Sequence, residues 1–74
     1  MNNNDPLKRF AANLKALIKT TELPPRAFVR RFWPSNVLTY GELIGMLNGE
    51  YLPNNYQMEC LCDNLDCTQS DLLN

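Results

Sequence analysis

The positions of the prolines limit this chain to short elements of secondary structure. Its five prolines stand at positions 6, 24, 25, 34 and 53 of 74 residues. Proline fixes φ and lacks a backbone N–H, so it is tolerated in the first turn of a helix but interrupts a helix that has already begun. Any fold of this sequence must therefore be assembled from several short segments.

The first two segments have the apolar spacing of helices. Asp5 can cap a helix that begins at Pro6. Apolar residues then recur three and four positions apart, as on the buried face of a helix: Leu7, Phe10, Leu14, Leu17 and Ile18. Pro24 and Pro25 end this helix, and Pro25 can open a second short helix that runs through about Phe32.

Three further helices are predicted from capping signals. Thr39 and Glu42 have the spacing of a capping box, which predicts a third helix over about residues 39–48, ended by Asn48 and Gly49. Asn54 or Asn55 can cap a fourth helix, and Thr68 with Asp71 can cap a last short one. The predicted buried stripe of the fourth helix contains Met58, Leu61, Cys62 and Leu65, with Cys60 more exposed.

No segment shows the sustained alternation of a strand. The sequence therefore predicts an all-α fold, a compact bundle of four to five short helices. Because the chain is half the usual length of a domain, we expect one domain over residues 1–74. We expect the polar residues 1–4 to form a disordered tail.

Charge is divided between the two parts of the chain. Through residue 31, seven basic residues oppose two carboxylates, a balance of +5, whereas six carboxylates and no basic residue follow, a balance of −6. This division favours either a basic face presented to a polyanion or head-to-tail pairing with another copy of the chain. A third interpretation is that the charges lie on ordinary solvated helix faces and that their segregation is accidental.

Several functions are disfavoured by composition. Histidine is absent, so no histidine-dependent nucleophile can be assembled, and the scattered carboxylates and missing phosphate loop predict no enzyme activity. The spacing of Cys60, Cys62 and Cys67 predicts reduced thiols and no metal or other cofactor. The chain shows neither a signal peptide nor a membrane-spanning run, so we expect a cytoplasmic protein with no membrane partner.

The ordered series of helices resembles the Cro/CI family of helix-turn-helix proteins, which is also called lambda-repressor-like or XRE. Residues 10–18 match its opening F-x-x-x-L-x-x-L helix, and Phe28, Val29 and Phe32 match the apolar positions of its second helix. Residues 39–49, T-Y-G-E-L-I-G-M-L-N-G, resemble its third helix, and residues 58–73 resemble its closing segment. The resemblance implies a lambda-repressor-like DNA-binding domain.

In that family the third helix enters the major groove, so the resemblance implies base contacts from early residues of this helix. The residues at those positions are Tyr40, Gly41, Ile44 and Gly45. Basic residues of the first two helices and the capping threonine are expected to contact phosphates, namely Lys15, Lys19, Arg26, Arg30, Arg31 and Thr39.

Two functions follow as expectations. The first is a sequence-specific transcriptional regulator of repressor type, as found in phages and prophages, that binds double-stranded DNA as a homodimer. The second uses the same helix-turn-helix fold as a protein-protein interaction module with weak or no DNA binding. For the second, Gly41 and Gly45 would form a flat apolar strip beside Tyr40 and Ile44.

Overall fold

Five α-helices and one 3-10 turn form the regular structure of the chain in a computed structural model, which describes residues 5–74. The helices are α1 (Pro6–Thr20), α2 (Pro25–Val29), α3 (Tyr40–Leu47), α4 (Asn55–Leu65) and α5 (Gln69–Leu73), and the 3-10 turn is Arg30–Phe32. No strand occurs among the described residues, so the all-α prediction is confirmed for them. The predicted tail at residues 1–4 lies outside the described residues.

The helix boundaries follow the proline and capping signals. Asp5 accepts a hydrogen bond from the backbone N–H of Leu7 at 3.0 Å, and Pro6 opens α1. α2 opens at Pro25, but it ends at Val29 and continues to Phe32 only as the 3-10 turn. The second α-helix is therefore shorter than predicted, and a 3-10 turn takes the place of its predicted last residues.

Capping boxes begin α3, α4 and α5. The boxes predicted at Thr39 with Glu42 and at Thr68 with Asp71 are both present. Of the two candidate caps for α4, Asn54 is the one used, and Gln57 completes its box. Gly49 follows α3 with φ of 77°, the left-handed conformation that glycine adopts at low cost and that was expected after this helix.

One hydrophobic core joins the helices. Its fully buried members come from α1, α2, α3, α4, α5 and the segment before α3, and they are Phe10, Leu14, Phe28, Leu38, Leu43, Met46, Leu61 and Leu72. α1 packs against α3 and α5, and α2 packs against α3. Among residues 5–74, no helix has both the length and the apolar content needed to span a membrane.

Cys62 departs from its predicted position in this core. Both Cys60 and Cys62 are half-buried and lie at the margin of the core, so the prediction that Cys62 belongs to the buried stripe is wrong. The buried stripe of α4 is completed by Gln57 together with Met58, Leu61 and Leu65. The buried face of α4 therefore includes a polar residue, Gln57, in the first turn of the helix.

The buried Gln57 joins α4 to the start of α3. Its side-chain Nε2 donates to the backbone oxygen of Val37 at 3.0 Å and to Oε1 of Glu42 at 3.3 Å. Its Oε1 accepts from the backbone N–H of Asn54 at 3.1 Å. One side chain therefore satisfies the cap of α4 and fixes that helix against the cap of α3.

We predict that Gln57→Ala lowers the free energy of unfolding by about 1–3 kcal/mol, because it leaves partly buried backbone groups of Val37 and Asn54 without their partner. Gln69→Ala is the control, since it makes the same truncation in the exposed first turn of α5. Urea unfolding of both variants measures the difference. Equal and small effects would show that the Gln57 bonds do not hold α3 and α4 together.

Candidate nucleic-acid interface

The N-terminal ends of α2 and α3 lie side by side on the surface. Arg26 is the second residue of α2 and Tyr40 is the first of α3, and the Arg26 guanidinium lies 4.1 Å from the centre of the Tyr40 ring. This distance is within the range of a cation–π interaction. Both side chains are exposed, so the Arg26 and Tyr40 pair lies on a surface that contains the N-terminal ends of both helices.

Thr39 and Glu42 are occupied in the first turn of α3. The Thr39 hydroxyl oxygen accepts from the Glu42 backbone N–H at 3.2 Å, and Oε1 of Glu42 accepts from the Thr39 backbone N–H at 3.0 Å. The same Glu42 oxygen receives the bond from Gln57. The Glu42 carboxylate is therefore committed to the fold, while Thr39 remains exposed beside Tyr40.

The two glycines of α3 occupy different environments. Gly41 is exposed, and a Cβ atom built there meets no atom within 4 Å. Gly45 is buried beneath Tyr51, and a Cβ atom there would lie 2.8 Å from Cε2 of the Tyr51 ring. The predicted open strip through both glycines is wrong at Gly45, because the loop after Gly49 returns over α3 and places a ring on it.

A hydrogen bond holds Tyr51 in this position. Its hydroxyl donates to the backbone oxygen of Glu42 at 3.2 Å. Burial, and then the charges of Glu42 and Glu50, raise the pKa of Tyr51 above its ordinary value, which keeps the hydroxyl protonated and able to donate. Of the four predicted base-contact residues, Tyr40 and Gly41 are exposed, Ile44 is half-buried and Gly45 is covered.

The predicted phosphate-contact residues fall into two groups. Lys15, Lys19 and Arg30 are exposed and, within residues 5–74, their side chains make no hydrogen bond, ion pair or ring contact. Arg31 instead donates from Nη1 to the backbone oxygen of Asn64 at 2.9 Å and lies 5.7 Å from the centre of the Phe28 ring. Its positive charge therefore lies next to the last turn of α4, where backbone carbonyls have no hydrogen-bond donor within the helix.

A second exposed surface was missed by the sequence reasoning. Tyr51, Leu52 and Tyr56 follow α3 and are 39%, 42% and 63% exposed, and we call these three residues the aromatic platform. Three large exposed apolar side chains within one short stretch of the chain are a candidate site of interaction. The signal in the sequence is the pair of apolar residues, Tyr51 and Leu52, that follows soon after Gly49, the glycine that ends the third helix.

Two of the three cysteines lie on α4, and the third follows it. Among the described residues, no group of three or more histidine, cysteine and acidic side chains is arranged to hold a metal ion. All three thiols are free and half-buried. Burial, with the neighbouring Cys62 thiol as the next cause, raises the pKa of Cys67 to about 11, so this thiol stays protonated near neutral pH.

No protein-family model, curated protein or solved structure matches this chain.

The two glycines of α3 should respond in opposite ways to alanine. Gly41→Ala should raise the free energy of unfolding by as much as about 1 kcal/mol, because alanine is the better helix former and the space is open. Gly45→Ala should lower it, because the Tyr51 ring must move and its bond to Glu42 is strained or lost. Chemical denaturation measures both changes.

A double-mutant cycle separates the Tyr51 contact from helix propensity. In a Tyr51→Ala background, Gly45→Ala should become stabilising, as Gly41→Ala is, because nothing then covers the new methyl group. A Gly45→Ala change that stabilises equally with and without Tyr51 would contradict the packing of Tyr51 on Gly45.

Alkylation of Cys67 by iodoacetamide should be slow in the folded chain. Only the thiolate reacts, and raising the pKa from 9.0 to about 11 lowers its population at pH 8 by about a hundredfold. Mass spectrometry of the digested protein should find Cys67 far less modified in the native chain than in the urea-unfolded chain. Cys62→Ala should speed the native reaction in part, and equal rates in native and unfolded chains would contradict the assignment.

Proposed function

We propose that this chain is a sequence-specific DNA-binding transcriptional regulator of repressor type, in which α2 and α3 act as a helix-turn-helix. The observation that carries the proposal is the contact between Arg26 and Tyr40, which puts the N-terminal ends of both helices on one exposed surface. A recognition helix reads bases from its N-terminal residues while the preceding helix lies against the DNA backbone. We further propose that this regulator is cytoplasmic, that it is of the phage or prophage kind, and that it binds two half-sites as a homodimer.

The accessible side of α3 suits a close approach to the major groove. Tyr40 offers a hydroxyl that can donate to or accept from base edges. Gly41 has no side chain and no neighbour over it, so the DNA can approach the helix backbone there. Ile44 lies one turn further along and can contact a thymine methyl group.

Arg26 supplies a charged group beside these residues. Its guanidinium lies over the Tyr40 ring, and the edge of its plane keeps N–H donors for a phosphate or a guanine. The ring orients this long side chain and so lowers the entropy cost of placing it against DNA. Arg26 and Tyr40 would therefore act as one unit in the proposed complex.

Lys15, Lys19 and Arg30 are proposed to neutralise phosphates. Their side chains make no hydrogen bond or ion pair within residues 5–74, so no internal ion pair has to be broken when DNA binds. Arg26, the second residue of α2, adds a fourth charge seven residues after Lys19, which lies in the last turn of α1. Each neutralised phosphate contributes about −0.9 to the slope of log K against log salt concentration, so these four cations predict a slope of about −3 to −4 per chain.

The test compares two lysines of α1. Lys19→Gln and Lys8→Gln remove the same charge from exposed positions eleven residues apart, which is about 16 Å along the helix. With a duplex taken from the DNA next to the gene of this protein, Lys19→Gln should weaken binding and reduce the salt slope by about 1, whereas Lys8→Gln should change neither by much. Fluorescence anisotropy at several salt concentrations measures both quantities.

Sequence preference is the second part of this test. Tyr40→Ala should change the order of affinities among duplexes of different sequence, because Tyr40 is proposed to contact bases. Lys19→Gln should weaken all duplexes alike. Absence of duplex binding at low salt, or equal effects of the Lys8 and Lys19 variants, would refute the proposal.

A protein-binding module with weak or no DNA binding is the second candidate. The aromatic platform favours it, because Tyr51 covers part of α3 and leaves exposed apolar surface beside that helix. Under this interpretation Tyr56→Ala would weaken partner binding, and Lys19→Gln would have no effect on any ligand.

A further inference from the structure

We propose that Cys62 and Cys67 are a site of reversible oxidation, at which a small disulfide such as oxidised glutathione converts the two thiols into an intramolecular disulfide. The two residues lie on either side of the turn that ends α4, and both thiols are free and half-buried. The proposal is independent of DNA binding, because neither residue belongs to α2 or α3.

A residue in the left-handed conformation brings the two cysteines together. Asp66 follows the last residue of α4 with φ of 54° and ψ of 51°, so the chain turns back toward the helix. The backbone oxygen of Cys62 accepts from the backbone N–H of Asp66 and, at 3.0 Å, from that of Cys67. At helix ends of this kind, the side chains of the two residues that the second bond joins are frequently in contact.

The same backbone bond limits the distance that a disulfide would have to span. With standard bond lengths, the 3.0 Å between the Cys67 nitrogen and the Cys62 oxygen keeps the two Cα atoms within about 6.9 Å of each other. Protein disulfides usually join Cα atoms that are about 4.4–6.8 Å apart. The backbone therefore needs little or no movement for the two cysteines to be joined.

The thiols interact with each other as well. Burial is the largest cause that raises the pKa of Cys67 to about 11, and the charge of the Cys62 thiolate and a hydrogen bond with it come next. These two effects need sulfur atoms that are close to each other. Both cysteines also pack against the margin of the core. Backbone and side chains therefore agree that the two thiols are neighbours.

The third cysteine is not part of this pair. Cys60 precedes Cys62 by two residues, and side chains with that spacing do not face each other on a helix. Its thiol is half-buried, as those of Cys62 and Cys67 are. Cys60 is therefore a matched control, a thiol of similar exposure on the same helix that should take no part in the disulfide.

The reaction consists of two thiol–disulfide exchanges. The Cys62 thiolate, whose proton has gone to water, attacks one sulfur of oxidised glutathione, and the first glutathione leaves as a thiolate and is protonated. Cys67 then loses its proton to water and attacks the Cys62 sulfur of the mixed disulfide, which releases the second glutathione. The chain thus loses two hydrogen atoms, and one oxidised glutathione becomes two reduced ones.

The order of the two attacks follows from the state of Cys67. Only a thiolate attacks, and Cys67 is kept protonated by burial, by Cys62 and by the charges of Asp71 and Asp66. Once Cys62 carries glutathione, its thiolate charge and its hydrogen bond no longer act on Cys67. The pKa of Cys67 then falls in part, which favours the second attack. Cys62 is therefore assigned the first attack and Cys67 the second.

The disulfide would restrain the junction between α4 and α5. Thr68, the residue after Cys67, caps α5. Further along, α5 packs against α1 with Leu72 buried, and Nδ2 of Asn13 donates to the backbone oxygen of Leu72 at 2.9 Å. Oxidation adds a covalent restraint just before α5, so it should slow the opening of this helix away from α1.

The test measures the disulfide equilibrium in the native and in the unfolded chain. The full chain is equilibrated with reduced and oxidised glutathione without air, with and without urea. After an acid quench, the remaining thiols are alkylated in urea and counted by mass spectrometry. The native chain should form the intramolecular disulfide with an equilibrium constant at least about tenfold larger than the unfolded chain, because the fold keeps the two thiols together. By linkage, the oxidised chain should then be harder to unfold than the reduced chain by at least about 1.4 kcal/mol, which is the same tenfold factor.

Substitutions assign the residues of the pair. Cys60→Ala should oxidise as the parent chain does. In the Cys60→Ala background, Cys67→Ala should stop at a mixed disulfide of Cys62 with glutathione, because the second attack is missing. Cys62→Ala in that background should acquire glutathione more slowly near neutral pH, since Cys67 is still kept protonated by burial and the two carboxylates.

Three results would overturn the proposal. They are equal equilibrium constants in the native and unfolded chains, an intramolecular disulfide that survives Cys67→Ala or is lost in Cys60→Ala, and disulfide-linked dimers as the main product. The first comparison uses the parent chain alone, so it is decisive even where a variant fails to fold. Duplex binding enters none of these measurements, so a failure of the proposed DNA binding and a failure of this proposal can be told apart.

Discussion

Glu42 is the residue on which the arrangement of α3, its following loop and α4 depends. Its carboxylate accepts from the backbone of Thr39 and from the side chain of Gln57, and its backbone oxygen accepts from the hydroxyl of Tyr51. A small chain buries a low fraction of its surface, so its apolar core alone gives a limited margin of stability. Polar contacts that fix the ends of several helices at once are then a large part of what specifies their relative positions. In this protein they also decide which side of α3 is accessible.

The consequence is an α3 that is accessible at its start and covered one turn later. Its first residue contacts Arg26 of α2, and the neighbouring Gly41 is open. Four residues after Gly41, on the same face of the helix, Tyr51 lies on Gly45. The hydrogen bond from the Tyr51 hydroxyl to the backbone of Glu42 therefore sets how much of this face a partner can reach.

Local signals in the sequence predicted most of the fold, and contacts between distant segments account for what they missed. The prolines and the capping boxes at Thr39 and Thr68 act over three or four residues, so their effect can be read directly. The covering of Gly45 by Tyr51 depends on the path of the loop after Gly49, which no local pattern encodes. The bond from Arg31 to the backbone of Asn64 likewise joins residues 33 positions apart, which no local pattern encodes. The roles proposed for Tyr40, Gly41 and the phosphate-contact residues remain predictions.

Charge segregation bears on how the chain would approach DNA. A duplex repels the acidic part of the molecule and attracts the basic part, so the encounter is oriented before any base is contacted. At physiological ionic strength charges are screened beyond about 8 Å, so this orientation acts only in the last steps of approach. Within that distance the position of each charge matters more than the net charge of −1.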